Sequence, residues 1–408
     1  MLNNIRKILS SFDPLMPYKT LAGVLNAADL AVGPLCRIVS EEDGEIAQVA
    51  AWVLGEMKHP EGINALLAVA ADPSRKLRTA AIQALARSAS GSAVPVMVEA
   101  LADPDPEVRA AAAGALGEMG DPAAVGPLME LLGDSESRVS DYALSSLASL
   151  GPASEDPLAA AMDYPDPKVR RRAARGLMGM PGPMAHRALL RRCDDPDASV
   201  RAQVMEALSV FDTDASTSIL AEALGDENRK VRISAARALS GRMRPAALAA
   251  LERALSDSEP EVRRTAIRSL SQTRGERAFA LLSRGLSDSL AETRAEALTA
   301  LAYRDPIRAA PFLVRAVGDQ ASQVRQTAVW LAGNLRSPGT VEALTRLLTD
   351  MDVKMRALAA ASLAKIGDSR AIIAMRLAIQ GADKKTASII NAAIRVLERR
   401  QGPRDREP

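Results

Sequence analysis

Asp103-Pro-Asp-Pro-Glu-Val-Arg-Ala-Ala-Ala-Ala-Gly-Ala-Leu-Gly-Glu-Met-Gly120 decides the fold, because a recognisable copy of it returns about every 31 residues. Within the unit Val108, Ala112 and Leu116 fall at i, i+4 and i+8, which places them on one apolar stripe of a helix. Ahead of the stripe, Asp103-Pro104-Asp105-Pro106 offers a carboxylate at the N-cap and a proline at the first helical position, where a missing N–H costs nothing. Asp195-Pro196 and Asp72-Pro73 repeat the device. Exits such as Gly120-Asp121-Pro122 and Gly367-Asp368-Ser369 supply a residue that closes a helix in the left-handed conformation.

Anchored on Arg109, the same slot falls at Ala47, Arg78, Ser140, Arg170, Arg201, Arg232, Arg263, Arg294, Arg325, Arg356 and Ala387, with every step 31 except one of 30. Earlier in each unit a Leu or Met centres another helix: Leu35, Leu66, Met97, Leu128, Leu158, Leu189, Leu220, Leu251, Leu282, Leu313, Leu344 and Met375. Twelve anchors predict twelve helix pairs, and a period of this length is that of a solenoid. The expected organisation is an irregular N-terminal helical cap over 1–30, with helical stretches at 2–11 and 18–27, a repeat solenoid over 31–400, and a disordered polar tail over 401–408. The one short repeat, at 151–156, predicts a local change of superhelical twist without a domain boundary.

Hydrophobic residues make up 48% of the chain but aromatics only 2%, so the core must be built from Ala, Leu, Val and Met. That suits closely packed helices and excludes a β-sandwich. Cys36 and Cys193 lie five repeats apart, too far to bond within one chain, which points to a reducing, cytoplasmic setting. The opening residues lack a long apolar run with a cleavage site, and charges or prolines interrupt every later apolar run, so neither an export signal nor a membrane span is expected.

The pattern Asp-x5-Arg, with Val before the Arg and Ala-Ala-x-Ala-Leu-Gly after it, then Gly-Asp-Pro-x-Ala-Val-x-Pro-Leu, resembles the HEAT-like repeats of the phycobilisome lyase type over roughly residues 31–400. The resemblance implies an all-α superhelix in which the Val-Arg helix lies on the concave side and the Leu-centred helix on the convex side. It also implies two enzymatic alternatives, a bilin lyase and a di-iron deoxyhypusine hydroxylase. The second needs paired His-Glu motifs from several helices, whereas this chain has only His59 and His186, four units apart. No metal, cofactor or catalytic constellation is therefore expected: there is no P-loop, no Gly-x-Ser-x-Gly and no Cys-x-x-Cys.

The recurring charges read as structural. Asp103 with Arg109, Asp195 with Arg201, Asp226 with Arg232, Asp257 with Arg263, Asp319 with Arg325 and Asp350 with Arg356 form a ladder that caps helices and links neighbouring units. A catalytic constellation would not be copied into every repeat.

Binding residues are sought on the second helix at positions one, two, five and nine after the Arg slot, which face away from the stripe and vary in type. Mid-chain they are basic, with Arg171, Arg172, Arg175, Arg237, Arg264 and Arg268; toward the ends they include Trp52, Tyr142, Tyr303 and Trp330. The two tryptophans occupy the same slot nine repeats apart and read as two separate anchors or as packing residues. Net charge is only +2, but it comes in blocks. Residues 93–166 hold 14 acidic and 2 basic groups, 168–192 hold 8 basic and none acidic, 193–227 hold 9 acidic and 1 basic, and 228–287 hold 13 basic and 5 acidic. A phosphate backbone needs one continuous basic track, so the alternation favours a protein or extended peptide partner with acidic segments. A nucleic-acid-binding solenoid and a phycobilisome-lyase-like assembly or modification factor are the alternatives.

Overall fold

The computed structural model describes residues 2–12, 17–26, 28–42, 44–380 and 382–400. The expected tail at 401–408 lies outside them, as do Pro14 and Ala27 of the expected cap. Among the described residues there are 26 α-helices and no strand. The chain divides into two compact units, Met1–Phe211 and Asp212–Pro408. Each unit holds six helix pairs. Those of the first run from Ala28–Glu41 with Glu45–Met57 to Pro183–Leu190 with Ala198–Ala207; those of the second run from Asp214–Ala223 with Arg229–Ala238 to Arg370–Ile379 with Lys384–Arg400. The result is an all-α solenoid.

Two further helices, Leu2–Leu9 and Pro17–Asn26, precede the first pair. The first stops short of residue 11 because the Ser10 and Ser11 hydroxyls donate to the Arg6 and Ile8 carbonyls, at 2.8 Å each, and so compete with continuation of the helix.

Packing follows the two apolar stripes. All twelve Leu or Met anchors of the first helices are 0% exposed. So are Val108, Ala112 and Leu116 of the first unit and Val262, Ala266 and Leu270 of the second. Each fully buried Leu contributes about 1.5–3 kcal/mol over its exposed state, so the repetition of small increments along the seam replaces the single large core of a globular domain. Among the described residues the buried aromatics are Phe211 and Phe279, leaving the seam to aliphatic side chains.

Within each unit successive second helices lie side by side, and the contact is set by small residues. A methyl group on Gly333 would lie 2.6 Å from the Ser362 hydroxyl and 2.8 Å from its Cα; Gly117 stands the same way against Ser146. That closeness lets the Ser146 hydroxyl donate to the Ala113 carbonyl of the previous repeat at 2.8 Å. Gly333→Ala is therefore expected to destabilise the protein by about 1–3 kcal/mol through overpacking. Urea unfolding measures this, and a cost near zero would mean that the second-helix layer can part without penalty.

The turn between the helices differs in detail from the sequence reading. The motif Asp stands two residues before the cap: Asp103 accepts from the Asp105 N–H at 2.8 Å, and it is Asp105 that accepts from the Glu107 N–H at 2.8 Å as N-cap. Likewise Asp197, not Asp195, caps its helix, and Asp72 accepts from the N–H of the cap residue Ser74 at 2.7 Å. Pro104, Pro196 and Pro73 therefore occupy the turn, while Pro106 takes the first helical position. Gly120 and Gly367 leave their helices at φ 69° and 84°, where a side chain would be strained.

Candidate functional site

The charged ladder runs between repeats, not within them. The Arg109 guanidinium donates from Nε and Nη2 to both oxygens of Asp134, at 2.8 and 3.0 Å, and from Nη1 to the Asp103 and Pro104 carbonyls at 2.8 and 3.1 Å. The pairing of Asp103 with Arg109 expected from the sequence is thus a backbone contact; the carboxylate partner of Asp103 is Arg78 of the preceding repeat. The same shift holds for Asp195 with Arg170, Asp257 with Arg232, and Asp319 with Arg294. Arg263 pairs with Asp288, and Arg356 reaches Asp383 at 2.7 Å. Arg201, Arg325 and Arg356 each hold their own turn by donating Nη1 to the carbonyls of Asp195, Asp319 and Asp350 respectively. Arg232 does so to Asp226. A planar guanidinium bonded to one carboxylate and two carbonyls commits four of its five N–H donors to the protein itself, which is the pattern of a structural ladder.

The face of the second helices turned away from the first helices carries the remaining candidates. Arg171, Arg175, Arg237 and Arg268 are exposed there. Arg175 touches Asp141 at 3.0 Å with both side chains more than half exposed, a contact of little energetic weight. Arg172 departs from the sequence reading: it is 7% exposed, and its Nη1 donates to the Leu132 carbonyl of the neighbouring repeat at 2.5 Å. Burial, followed by the adjacent Arg171, pushes its guanidinium down from the usual value. At this position two after the slot Arg172 packs toward the neighbouring helix, as the buried Thr265 does at its own, so Arg172 is a packing residue and not part of an open surface.

Among the described residues clefts open on this face beside Trp52, Tyr142 and Tyr303. In the first unit Trp52 lies half-buried against Phe12, with ring centroids 6.0 Å apart, and 5.8 Å from the Arg87 guanidinium, in a cleft of about 600 Å³. Tyr142, 42% exposed, sits 5.8 Å under Arg138 beside a cleft of about 310 Å³ lined also by Glu107, Gly114 and Glu118. In the second unit Tyr303, 59% exposed, lines a cleft of about 810 Å³ with Arg264, Arg268, Arg274, Glu292, Glu296 and Arg304. Trp330 is 44% exposed on the next second helix, Ser322–Asn334. The candidates thus do not converge on one pocket; Trp52 and Trp330 belong to different units.

The cleft beside Tyr303 contains residues that the sequence reading missed. Glu296 accepts with one oxygen from both Arg264, at 3.0 Å, and Arg268, at 2.6 Å. Arg304 donates Nη2 to the carbonyls of Leu270, Ser271 and Thr273 at the end of the helix Pro260–Gln272. The signal was available. Ten residues after the Arg slot most repeats place an apolar residue, Met57, Met119, Leu150, Met180, Phe211, Leu335 and Ile366 among them, with Ser88 and Thr273 as polar exceptions and Arg242 and Arg304 as the two charged ones.

His59 is an N-cap, its Nδ1 accepting from the Glu61 N–H at 3.3 Å. His186 stacks on Phe211 at 4.7 Å between centroids, and burial lowers its pKa. No group of three or more His, Cys, Asp or Glu side chains able to hold a metal ion occurs among the described residues, and no described helix is long and apolar enough to cross a membrane.

The whole chain superposes on solved structures of similar architecture. It matches a structure of Kap121p bound to Ste12p with TM-score 0.58 and 14% identity, covering 97% of this chain and 48% of that one. It matches Kap95p, in a study of its binding to RanGDP, with TM-score 0.55 and 15% identity over 97% and 60%. Importin beta aligns with TM-score 0.50 and 13% identity over 97% and 61%. The protein therefore spans about half to three-fifths of the length of these larger chains, and at such identities the likeness is one of fold. No curated protein matches the sequence. The HEAT-repeat family model matches residues 32–102, 63–148, 94–162, 154–240, 217–302, 281–350 and 309–398, and with nearly the whole chain so covered, the protein belongs to the HEAT-repeat family.

Proposed function

We propose that the protein is a non-enzymatic scaffold that holds a protein or extended peptide, with acidic segments, against the outward face of its second helices. The observation that carries this reading is where the scarce aromatics stand. In a chain with only 2% aromatic residues, Tyr142, Tyr303 and Trp330 are 42%, 59% and 44% exposed on that face, although burial in the aliphatic seam would stabilise each of them. Aromatic side chains next to arginines are the residues that anchor polypeptide partners. The exposed Arg171, Arg175, Arg237 and Arg268 supply charge complementarity. The fold likeness to Kap121p, whose structure holds Ste12p, supports the same reading. The two cysteines are both unbonded thiols, which suits a reducing, cytoplasmic compartment.

Changing Arg171, Arg175, Arg237 and Arg268 together to Ala is expected to weaken the polypeptide partner at least tenfold, about 1.4 kcal/mol. Helical circular dichroism and melting should stay near those of the wild type, because exposed substitutions seldom exceed about 0.5 kcal/mol. Isothermal titration with partner isolated on the wild-type protein reads the first, thermal melting the second. Unchanged affinity in a folded variant would rule the arginines out as contacts.

A further inference from the structure

The cleft of about 810 Å³ in the second unit stands apart from the rest of the face. Its lining includes four arginines, Arg264, Arg268, Arg274 and Arg304, against two carboxylates, Glu292 and Glu296. Five buried side-chain nitrogen or oxygen atoms among the described residues lack a hydrogen-bond partner, and three of them belong to residues of this lining: Arg264 Nε, Glu296 Oε2 and Arg304 Nη1. Buried polar groups are otherwise satisfied almost everywhere in folded proteins, so three left over in one lining call for a partner such as water, an ion or a ligand. Arg304 makes no ion pair among the described residues; it donates instead to three carbonyls at the end of the helix Pro260–Gln272. Arg264 and Arg268 are held side by side by one oxygen of Glu296, with Glu261 at 3.6 and 3.8 Å. Arg268 and Arg274 are exposed, and Tyr303 offers a broad apolar ring beside them.

We infer that this cleft is the subsite that reads acidic side chains of an extended polypeptide, with Glu296 as the internal carboxylate that orients the arginine pair and competes with the ligand for it. The inference rests on the polypeptide-binding reading above and narrows it to one place and one chemistry. An incoming carboxylate draws Arg268 away from Glu296 and adds its charge to a site that is net positive, with Glu261, Glu292 and Glu296 set against its four guanidiniums. A planar carboxylate meets a guanidinium fork with two parallel hydrogen bonds, which a neutral amide cannot copy. A nucleic-acid backbone fits less well, since Glu261, Glu292 and Glu296 stand among the arginines and interrupt the positive charge.

Fluorescence anisotropy with a labelled dodecapeptide of alternating Asp and Ser tests this, beside the same peptide with Asn for Asp and a labelled oligothymidylate of equal length. The Asp peptide should bind the wild-type protein and the Asn peptide should not. R268Q and R304Q should each weaken it at least tenfold, while the first-helix control R253Q should leave it unchanged. E296Q should tighten it about threefold by removing the competing charge, a gain that a purely structural Glu296 would not produce. Melting curves identify a variant that fails to fold, and R268Q, on the surface, keeps the test open if R304Q does. Weaker binding by E296Q, tighter binding of the oligothymidylate, or no binding of the Asp peptide to wild type would overturn the assignment. Binding that survives R268Q, R304Q and E296Q unaltered would overturn the cleft alone and leave the scaffold reading standing.

Discussion

Replacing Asp195 with Ala lowers stability by about 3–5 kcal/mol, the cost of leaving a buried guanidinium without its carboxylate. Asp195 is 1% and Arg170 is 8% exposed, and the two share a bidentate contact with both distances 2.8 Å. The loss is larger than for an exposed pair because Arg170 stays in place: its Nη1 still donates to the Tyr164 and Pro165 carbonyls at 2.9 and 2.7 Å, so the cation cannot swing into water. Chemical denaturation of D195A against wild type measures the difference; a change below about 1 kcal/mol would mean that the ladder is solvated in practice. The ladder also sets the response to acid. The Arg294 guanidinium holds the Asp319 carboxyl below its usual range. At Asp288 and Asp134 burial pushes the carboxyl up, but hydrogen bonds from Arg263 and Arg109 and from backbone N–H groups more than offset it, and the net shift is downward. A carboxyl with a depressed folded pKa adds stability that is complete above its unfolded value, about 3.9, and is lost as pH falls through the folded one. Stability should thus be level above about pH 5 and drop steeply below about pH 4.

Leu270→Ala is expected to cost about 2–5 kcal/mol, from the lost transfer energy and the cavity left behind. Leu270 is 0% exposed at the stripe position of the helix Pro260–Gln272. Because each repeat touches mainly its neighbours, the damage should be local. Hydrogen exchange should show lost protection in that helix and in the adjoining second helices Arg229–Ala238 and Ala291–Arg304, with the first unit far less affected. Equal loss along the whole chain would contradict nearest-neighbour stabilisation.

The helix pairs were legible in the sequence because periodicity reports burial directly, and the anchors from Leu35 to Met375 are indeed fully enclosed. The ladder was legible as a pattern but not in its partners, since a spacing of 25 residues crosses a repeat boundary. The clue lay in the exceptions. Where the Arg slot holds Ser140, the next repeat has Tyr164 in place of the motif Asp and both partners are missing, although Ala47 is followed by a repeat that keeps Asp72. Arg172 was misplaced because variability at position two after the slot resembles exposure; Tyr142 is exposed there while Arg172 and Thr265 are buried, so that the neighbouring helix decides each case. Glu296 and Arg304 act through contacts to other repeats, which no single copy of the motif displays.

The claim that the outward face of the second helices holds a polypeptide is tested most directly by site-specific photo-crosslinking in cell extract. A photoreactive residue is placed at Tyr142, Arg237, Tyr303 or Trp330 on that face, and at Arg253 or Arg315 on first helices, followed by identification of the adducts. Discrete polypeptide adducts should form from the second-helix positions, carrying acidic segments at the crosslinked residues, and should be absent from the first-helix positions. Adducts that form mainly from Arg253 and Arg315, or adducts to nucleic acid from the second-helix positions, would contradict it.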